Sequence, residues 1–234
     1  MAILWRSGGI VMSAFLTDYQ LNFWERILQP AFIATIQMVV ITTIVGTILG
    51  FLIAVILLVS NVNGIHPNKY VYGFVSFIVN VIRSFPFLIL MIFLLPFTKF
   101  VAGTSIGVKA AVVPLIVSAS AFIGKLIENA MQEVDGGLIE AMKSFGITET
   151  QVVFRVMLSE ALPAIISGII LATISILGAT AMAGVMGAGG IGSVAVTYGY
   201  QKFNNVVMTL TAGILVIFVQ LIDSVGRWVY RKMK

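Results

Sequence analysis

The side chains that could carry chemistry are concentrated in one segment of an otherwise apolar chain. Residues 128–160 hold eight charged side chains, whereas the complete chain has 14 Lys or Arg and 9 Asp or Glu. A Ser/His/Asp set, an HExxH motif and a pair of carboxylates within an apolar segment are all absent from the sequence. The single histidine, His66, lies beside Pro67 without acidic neighbours and is expected to be an ordinary loop residue. The sequence therefore predicts no catalytic residues and no metal site, and the chain is not expected to be an enzyme.

Two glycine patterns could suggest nucleotide binding, but neither has the context that such a site needs. GAGGIG at 187–192 satisfies G-x-G-x-x-G, yet a dinucleotide site requires a preceding strand and an acid about 20 residues later. The only Gly-Lys pair, Gly124-Lys125, is followed by Leu126 where a P-loop has Ser or Thr. We therefore expect no cofactor on this chain and a flexible outer loop at 187–192. Three aromatic residues after this loop are expected to anchor it at the membrane interface: Tyr198, Tyr200 and Phe203.

The composition is that of an integral membrane protein. Hydrophobic residues make up 59% of the chain, charged residues 10%, and the mean hydropathy is +1.08, whereas soluble domains are about 25% charged. The basic residues behind the net charge of +5 are scattered at the ends of apolar segments, which favours lipid headgroups over nucleic acid as their partners. The absence of cysteine excludes disulfides and thiol ligands.

Apolar runs predict an all-α membrane protein with five transmembrane helices in one domain. A spanning helix needs about 20 apolar residues. The Lys125 and Glu128 side chains at the end of the third span are expected to meet water as an i, i+3 pair. Residues 1–28 are expected to form an N-terminal extension at the interface or outside the cell, and residues 29–230 the transport domain. The predicted spans are 31–60, 84–102 with 70–82 leading into it, 108–127, 161–185 and 206–225.

The distribution of Lys and Arg predicts the orientation. Five spans place the termini on opposite sides, and a cytoplasmic C-terminus puts nine basic residues on or near the inner side and five outside. We therefore expect the N-terminus outside and the C-terminus inside. A cost of roughly 2.5–3.5 kcal/mol for each charge in a membrane helix keeps the charged segment out of the bilayer, and the expected orientation places it on the cytoplasmic side.

The charged segment contains the signals of a short, capped helix. Asp135 can cap its start, and Gly146 suits the left-handed turn that ends it. Thr148 and Gln151 then have capping-box spacing and open a second helix. Three apolar residues form a stripe along the first helix: Leu138, Met142 and Phe145. A helix of about ten residues is marginal alone, so this stripe must pack either on its own chain or on another protein.

The stretch EAMKSFG at 140–146 resembles the cytoplasmic-loop signature of ABC importer permeases. That signature reads Glu-Ala-Ala, three residues, Gly, nine residues, Ile-x-Leu-Pro, and Val156 and Leu158 follow at the matching positions. Met142 replaces the second alanine of the signature, and Ser159 replaces its proline. Because that proline would bend the chain before the fourth span, such a bend is expected here only if Pro163 supplies it. Over residues 28–230 the chain resembles methionine-uptake ABC transporter permeases in the stretches VNVIRSFPFLILMIFLLPFTKFVAGTSIG, ENAMQEVDGGLIEAMKSFG, LSEALPAIISGI and MGAGGIGSVAVTYGY.

The resemblance implies a type I ABC importer permease fold in the bacterial plasma membrane. It implies a homodimer, two cytoplasmic ABC ATPase subunits that bind ATP and magnesium, and an extracytoplasmic substrate-binding lipoprotein. The imported substrate would be an amino acid, methionine in this branch, moved by alternating access. The charged loop at about 132–160 would then hold a coupling helix, with its contacts to the ATPase made by Glu140, Ala141, Met142, Ser144, Phe145 and Gly146. The alternative is a self-sufficient secondary transporter, which needs ionisable coupling residues at mid-depth and inverted repeats.

Several residues in the apolar spans are candidates for the transport pathway or its gate. Arg83 is the foremost of them, because ionisable residues at depth are costly and usually functional, although near the inner face it could instead reach headgroups. Small-residue pairs, Gly46 with Gly50 and Ala179 with Ala183, could pack helices within the chain or across a dimer. The complete predicted set is Arg83, Pro86, Ser118, Ser120, Thr173, Ser175 and Met182.

Overall fold

The computed structural model describes residues 23–62 and 64–232, and this part of the chain is helical without strands. The predicted all-α fold is therefore confirmed. The N-terminal extension lies mostly outside the described residues, and the first helix runs through the proposed boundary at residue 28. In chain order the helices are α1 (Trp24–Ser60), α2 (Lys69–Ser84), α3 (Phe87–Phe93), α4 (Leu95–Ala102), α5 (Val108–Gln132), α6 (Gly136–Ser144), α7 (Glu149–Ala183), α8 (Ile191–Val194) and α9 (Asn205–Lys232). Two π-helical segments continue α7 and α8, at Gly184–Ala188 and Ala195–Tyr200.

Four of these helices are long and apolar enough to cross a membrane, namely α1, α5, α7 and α9. In the region of the second predicted span lie α2 and α3, a bent pair whose axes differ by 112° and which gives a fifth span only if the two helices count as one. The expectation that residues 84–102 form one crossing helix is wrong, because the helix is interrupted at Phe85-Pro86 and again at Leu94. Phe85 is extended, with ψ of 131°, as the steric demand of the following proline ring requires. Pro86 thus ends α2 and creates an elbow.

The core forms where α1 and α7 pack on α5. Gly46 and Gly50 face α5, and a Cβ atom at either position would lie 2.9 Å from an α5 atom: the Ala119 Cβ or the Gly124 backbone nitrogen. This first small-residue pair therefore packs helices within the chain. Ala183 is fully buried in a second part of the core, together with Met38 and Leu115, and Ala179 packs against it. Both pairs thus contribute to contacts inside the chain.

The turn at 187–192 is tightly packed, so the prediction of a flexible loop is wrong, whereas its position on the outer side stays a prediction. Gly190 has a φ of +94°, which favours glycine, and the next residue, Ile191, is completely buried. The Ile191 N–H donates to Thr35 Oγ1 of α1 at 2.9 Å, and a Cβ at Gly192 would lie 2.3 Å from Ala181. The glycines here allow close backbone approach to α1 and α7. Of the aromatic residues after the turn, Tyr200 and Phe203 are exposed, whereas the Tyr198 ring packs edge-on against Phe23.

Glu128 is completely buried, which contradicts the expectation that it meets water. The predicted pair with Lys125 is present, at 2.7 Å between Lys125 Nζ and Glu128 Oε2. Glu128 Oε1 accepts from Tyr72 OH of α2 at 3.1 Å and from Gln132 Nε2 at 3.0 Å. These donors satisfy the carboxylate, as a buried charge requires. The Glu128 cluster, formed by Tyr72, Lys125, Glu128 and Gln132, therefore ties the start of α2 to the end of α5.

Candidate functional site: an exposed short helix and an arginine-lined cavity

Helix α6 begins and ends where its sequence predicts. The Asp135 side chain accepts from the Gly137 N–H at 2.8 Å and thereby caps the first turn. At the other end, Gly146 takes a φ of +82°, and its N–H donates to the Lys143 carbonyl oxygen at 2.9 Å. A side chain at Gly146 would meet no atom within 4 Å, so the demand for glycine comes from the backbone conformation alone.

The following helix, α7, also begins at its predicted cap. Thr148 and Gln151 form both bonds of a capping box, at 3.0 and 3.4 Å. From Glu149, α7 continues to Ala183 and contains a π-helical stretch at Val152–Met157. The chain remains helical through Ser159 and Pro163, so the replacement of the signature proline by Ser159 leaves α7 unbroken. Helix α6 is therefore joined to a membrane span through one short turn.

The apolar stripe of α6 is only partly covered by its own chain, since its middle residue, Met142, is half-buried and the other two are exposed. None of the α6 residues is buried; the Leu138 side chain is 37% exposed, and Phe145, directly after the helix, is 83% exposed. Glu140 and Lys143 instead line a cavity of about 710 Å³ between α6 and the rest of the chain. Lys143 Nζ lies 3.4 Å from Glu149 Oε1, so this pair links α6 to the start of α7. Of the two alternatives for the stripe, the arrangement favours packing on another protein.

A second cavity, of about 300 Å³, lies where the α2–α3 elbow meets α5 and α7. The structure brings three of the predicted pathway residues together in its lining: Arg83, Ser118 and Ser175. The Arg83 guanidinium carbon lies 6.0 Å from the centre of the Phe122 ring, which is near the middle of α5. The Arg83 guanidinium is therefore close to the middle of α5. We call this space, with Arg83 at its edge, the Arg83 cavity.

The other predicted pathway residues lie outside the Arg83 cavity. Ser120 is buried and donates to the Val117 carbonyl oxygen at 3.0 Å. Thr173 faces an apolar groove between α7 and α9, and its hydroxyl donates to the Ile169 carbonyl oxygen at 2.8 Å. The Met182 side chain is exposed on α7. Pro86 lines a separate surface depression at the elbow.

Phe122 is absent from the predicted set, although the sequence holds a signal for it. It follows Ser118 by one helical turn, at i+4, and therefore lies on the same face of α5. A search of that face for partners of Arg83 would include it, since arginine packs well on aromatic rings.

Comparison with known proteins identifies relatives over most of the chain. The family described as binding-protein-dependent transport system inner membrane component matches residues 46–234. The probable D-methionine transport system permease protein MetI of Vibrio cholerae is 39% identical over 199 residues, which are 85% of this chain and 88% of the relative. The methionine import system permease protein MetP of Bacillus subtilis is 40% identical over 171 residues, 73% of this chain and 77% of the relative.

Solved structures show the same fold. The MetNI methionine ABC transporter in an inward-facing conformation contains a chain that superposes with a TM-score of 0.85 at 39% identity. The match covers 90% of the present chain and 97% of that chain. An amino acid ABC transporter crystallised with histidines gives a TM-score of 0.75 at 21% identity, which supports the fold alone.

Proposed function

This chain belongs to the family of binding-protein-dependent transport system inner membrane components, and from that premise we propose that it is the permease subunit through which an ATP-driven ABC importer takes up methionine. The exposed apolar stripe on the capped helix α6 carries the proposal, because it is a docking surface on a membrane-anchored chain. The named relatives are methionine permeases, which supports methionine as the substrate. The chain is a transport subunit, and a separate ATPase supplies the energy.

The proposed assembly contains two copies of this chain, two cytoplasmic ABC ATPase subunits and an extracytoplasmic substrate-binding lipoprotein. The similarity to a chain of the MetNI transporter supports the ATPase partner. ATP and magnesium bind to the ATPase subunits in this assembly. Residues 29–230 form the transport domain, residues 1–28 an extension, and the loop at about 132–160 the contact with the ATPase.

Helix α6 acts as the coupling helix in this proposal. Its exposed residues enter a cleft of the ATPase, and Lys143 with Glu149 holds the helix against α7. Closure of the ATPase dimer moves α6, and α7 carries that movement into the membrane. To move a two-state equilibrium from 1:99 to 99:1, such a partner must supply about 5.5 kcal/mol of differential interaction. The contact set is Glu140, Ala141, Met142, Ser144, Phe145 and Gly146.

Uptake into proteoliposomes tests the function. The chain is reconstituted with its ABC ATPase and its lipoprotein, and labelled methionine is measured inside the vesicles. We expect uptake only with ATP on the side of the membrane that holds the ATPase, unchanged by ionophores that collapse proton and sodium gradients. Uptake that follows an ion gradient without the ATPase would instead identify the alternative, a self-sufficient secondary transporter.

The proposed orientation, N-terminus outside and C-terminus inside, can be tested with two single cysteines because the chain has none of its own. Phe145 and Phe203 are 83% and 88% exposed, so F145C and F203C present thiols of similar accessibility. In spheroplasts that produce this chain without its ATPase, so that Phe145 stays accessible, we expect a membrane-impermeant maleimide to label F203C before permeabilisation and F145C only after it. The reverse pattern would overturn the orientation and, with it, the cytoplasmic position of α6.

A further inference from the structure

We propose that the Arg83 cavity is a binding site for the carboxylate of an apolar α-amino acid in transit, with Arg83 as its anchor. The inference rests on the proposed import of methionine and assigns a site within the membrane part of this chain. Its volume of about 300 Å³ is at the lower end of the range for small-molecule sites, about 300–1,000 Å³.

Arg83 has no anionic side chain as a salt-bridge partner among the described residues. Within residues 23–62 and 64–232, Arg83 belongs to none of the three salt bridges, and its charge faces the Phe122 ring. A guanidinium is a cation that offers five N–H donors in a plane that matches both oxygens of a carboxylate. Within the proposed membrane part of the chain, such a cation is costly without a counter-charge. A substrate carboxylate supplies that counter-charge each time the site is filled.

The remaining lining fits the rest of an amino acid. The Ser118 hydroxyl is half-buried and makes no side-chain hydrogen bond to another residue in the described ranges. Ser175 donates its proton to the Leu171 carbonyl oxygen at 3.0 Å, so its lone pairs remain free to accept from an ammonium group. Apolar side chains form the rest of the wall and suit a thioether or aliphatic side chain; the larger ones include Phe87, Leu115, Phe122 and Ile176. None of the described residues that line the cavity carries a carboxylate, which disfavours basic amino acids.

The site is tested by binding of labelled methionine to the assembled transporter in nanodiscs without its lipoprotein. Methioninol, which has an alcohol in place of the carboxylate, serves as the matched ligand. We expect R83Q to weaken methionine binding at least tenfold, as the loss of a charged hydrogen-bond pair implies, and to leave methioninol binding unchanged. The methionine affinity of R83K should lie between those of the parent and R83Q, because lysine keeps the charge but cannot bind both carboxylate oxygens in one plane.

R231Q provides the control, since Arg231 is an exposed arginine in the last turn of α9 and does not line the Arg83 cavity. Unchanged methionine binding by R83Q, an equal loss for methionine and methioninol, or no binding of any apolar amino acid by the parent complex would overturn the inference. If phospholipid phosphate occupies Arg83 instead, methionine affinity will depend on the fraction of anionic lipid while methionine and methioninol bind alike, which also overturns it. ATP-driven methionine uptake by the parent complex is measured in parallel, so the proposed function can stand even if this site fails.

Discussion

Replacing Glu128 with alanine is expected to destabilise the protein by about 3 kcal/mol, the lower end of the cost of breaking a buried ion pair. The Glu128 carboxylate is completely buried and accepts from Lys125, Tyr72 and Gln132. Its removal leaves Lys125, whose side chain is 22% exposed, without its counter-charge and two donors without an acceptor. Thermal unfolding in detergent measures the effect, and we expect Tm to fall by roughly 6–12 °C, at about 2–4 °C per kcal/mol.

Two further variants show whether the buried charge causes this loss. E133A removes an exposed carboxylate just after α5 and should leave Tm within about 2 °C of the parent, as surface substitutions usually do. The double variant K125M/E128L removes both charges and should recover part of the stability, because an uncompensated charge costs more than an absent pair. If E128A and E133A unfold at the same temperature, the Glu128 cluster does not stabilise the fold.

The sequence predicts best those features whose partners lie a few residues apart. Asp135 and Gly137, and Thr148 and Gln151, form their caps within the same turn of chain, so spacing alone identifies them. The Lys125 and Glu128 pair is predictable for the same reason. The burial of Glu128 could not be predicted, because its third partner, Tyr72, comes from α2 and reaches it only after the chain has folded.

The Arg83 cavity likewise depends on contacts between helices that are far apart in the sequence, which spacing alone does not reveal. Pro86 indicates a break in the second span, but the 112° between α2 and α3 depends on how both helices pack on α5. That packing places Arg83 beside Phe122, a neighbour that lies 39 positions away in the sequence. Similarly, the helical spacing of apolar residues identifies the stripe of α6 but does not show whether other residues of the same chain pack on it.

Changing Gly146 to valine is expected to reduce ATP-driven methionine uptake at least tenfold while ATP hydrolysis by the assembled complex continues. Gly146 has a φ of +82°, a region that costs other residues about 1–2 kcal/mol and β-branched residues more. A Cβ at this position would have no atom within 4 Å in the folded chain, so crowding does not contribute. To relieve this strain, the backbone at the end of α6 must adopt another conformation. That change alters the surface of α6 that is proposed to bind the ATPase. Parallel measurements of uptake and phosphate release in proteoliposomes separate transport from hydrolysis.

G146N is the matched control for this substitution. Asparagine adds a side chain of similar size but adopts the left-handed conformation far more readily than valine. We therefore expect G146N to keep most of the parent uptake and G146V to lose it, with both variants showing similar thermal stability of the membrane part. Equal uptake by the two variants would mean that the conformation of Gly146 does not matter for coupling. Loss of both uptake and hydrolysis in G146V alone would indicate that the ATPase no longer docks, which still locates the coupling surface at the end of α6.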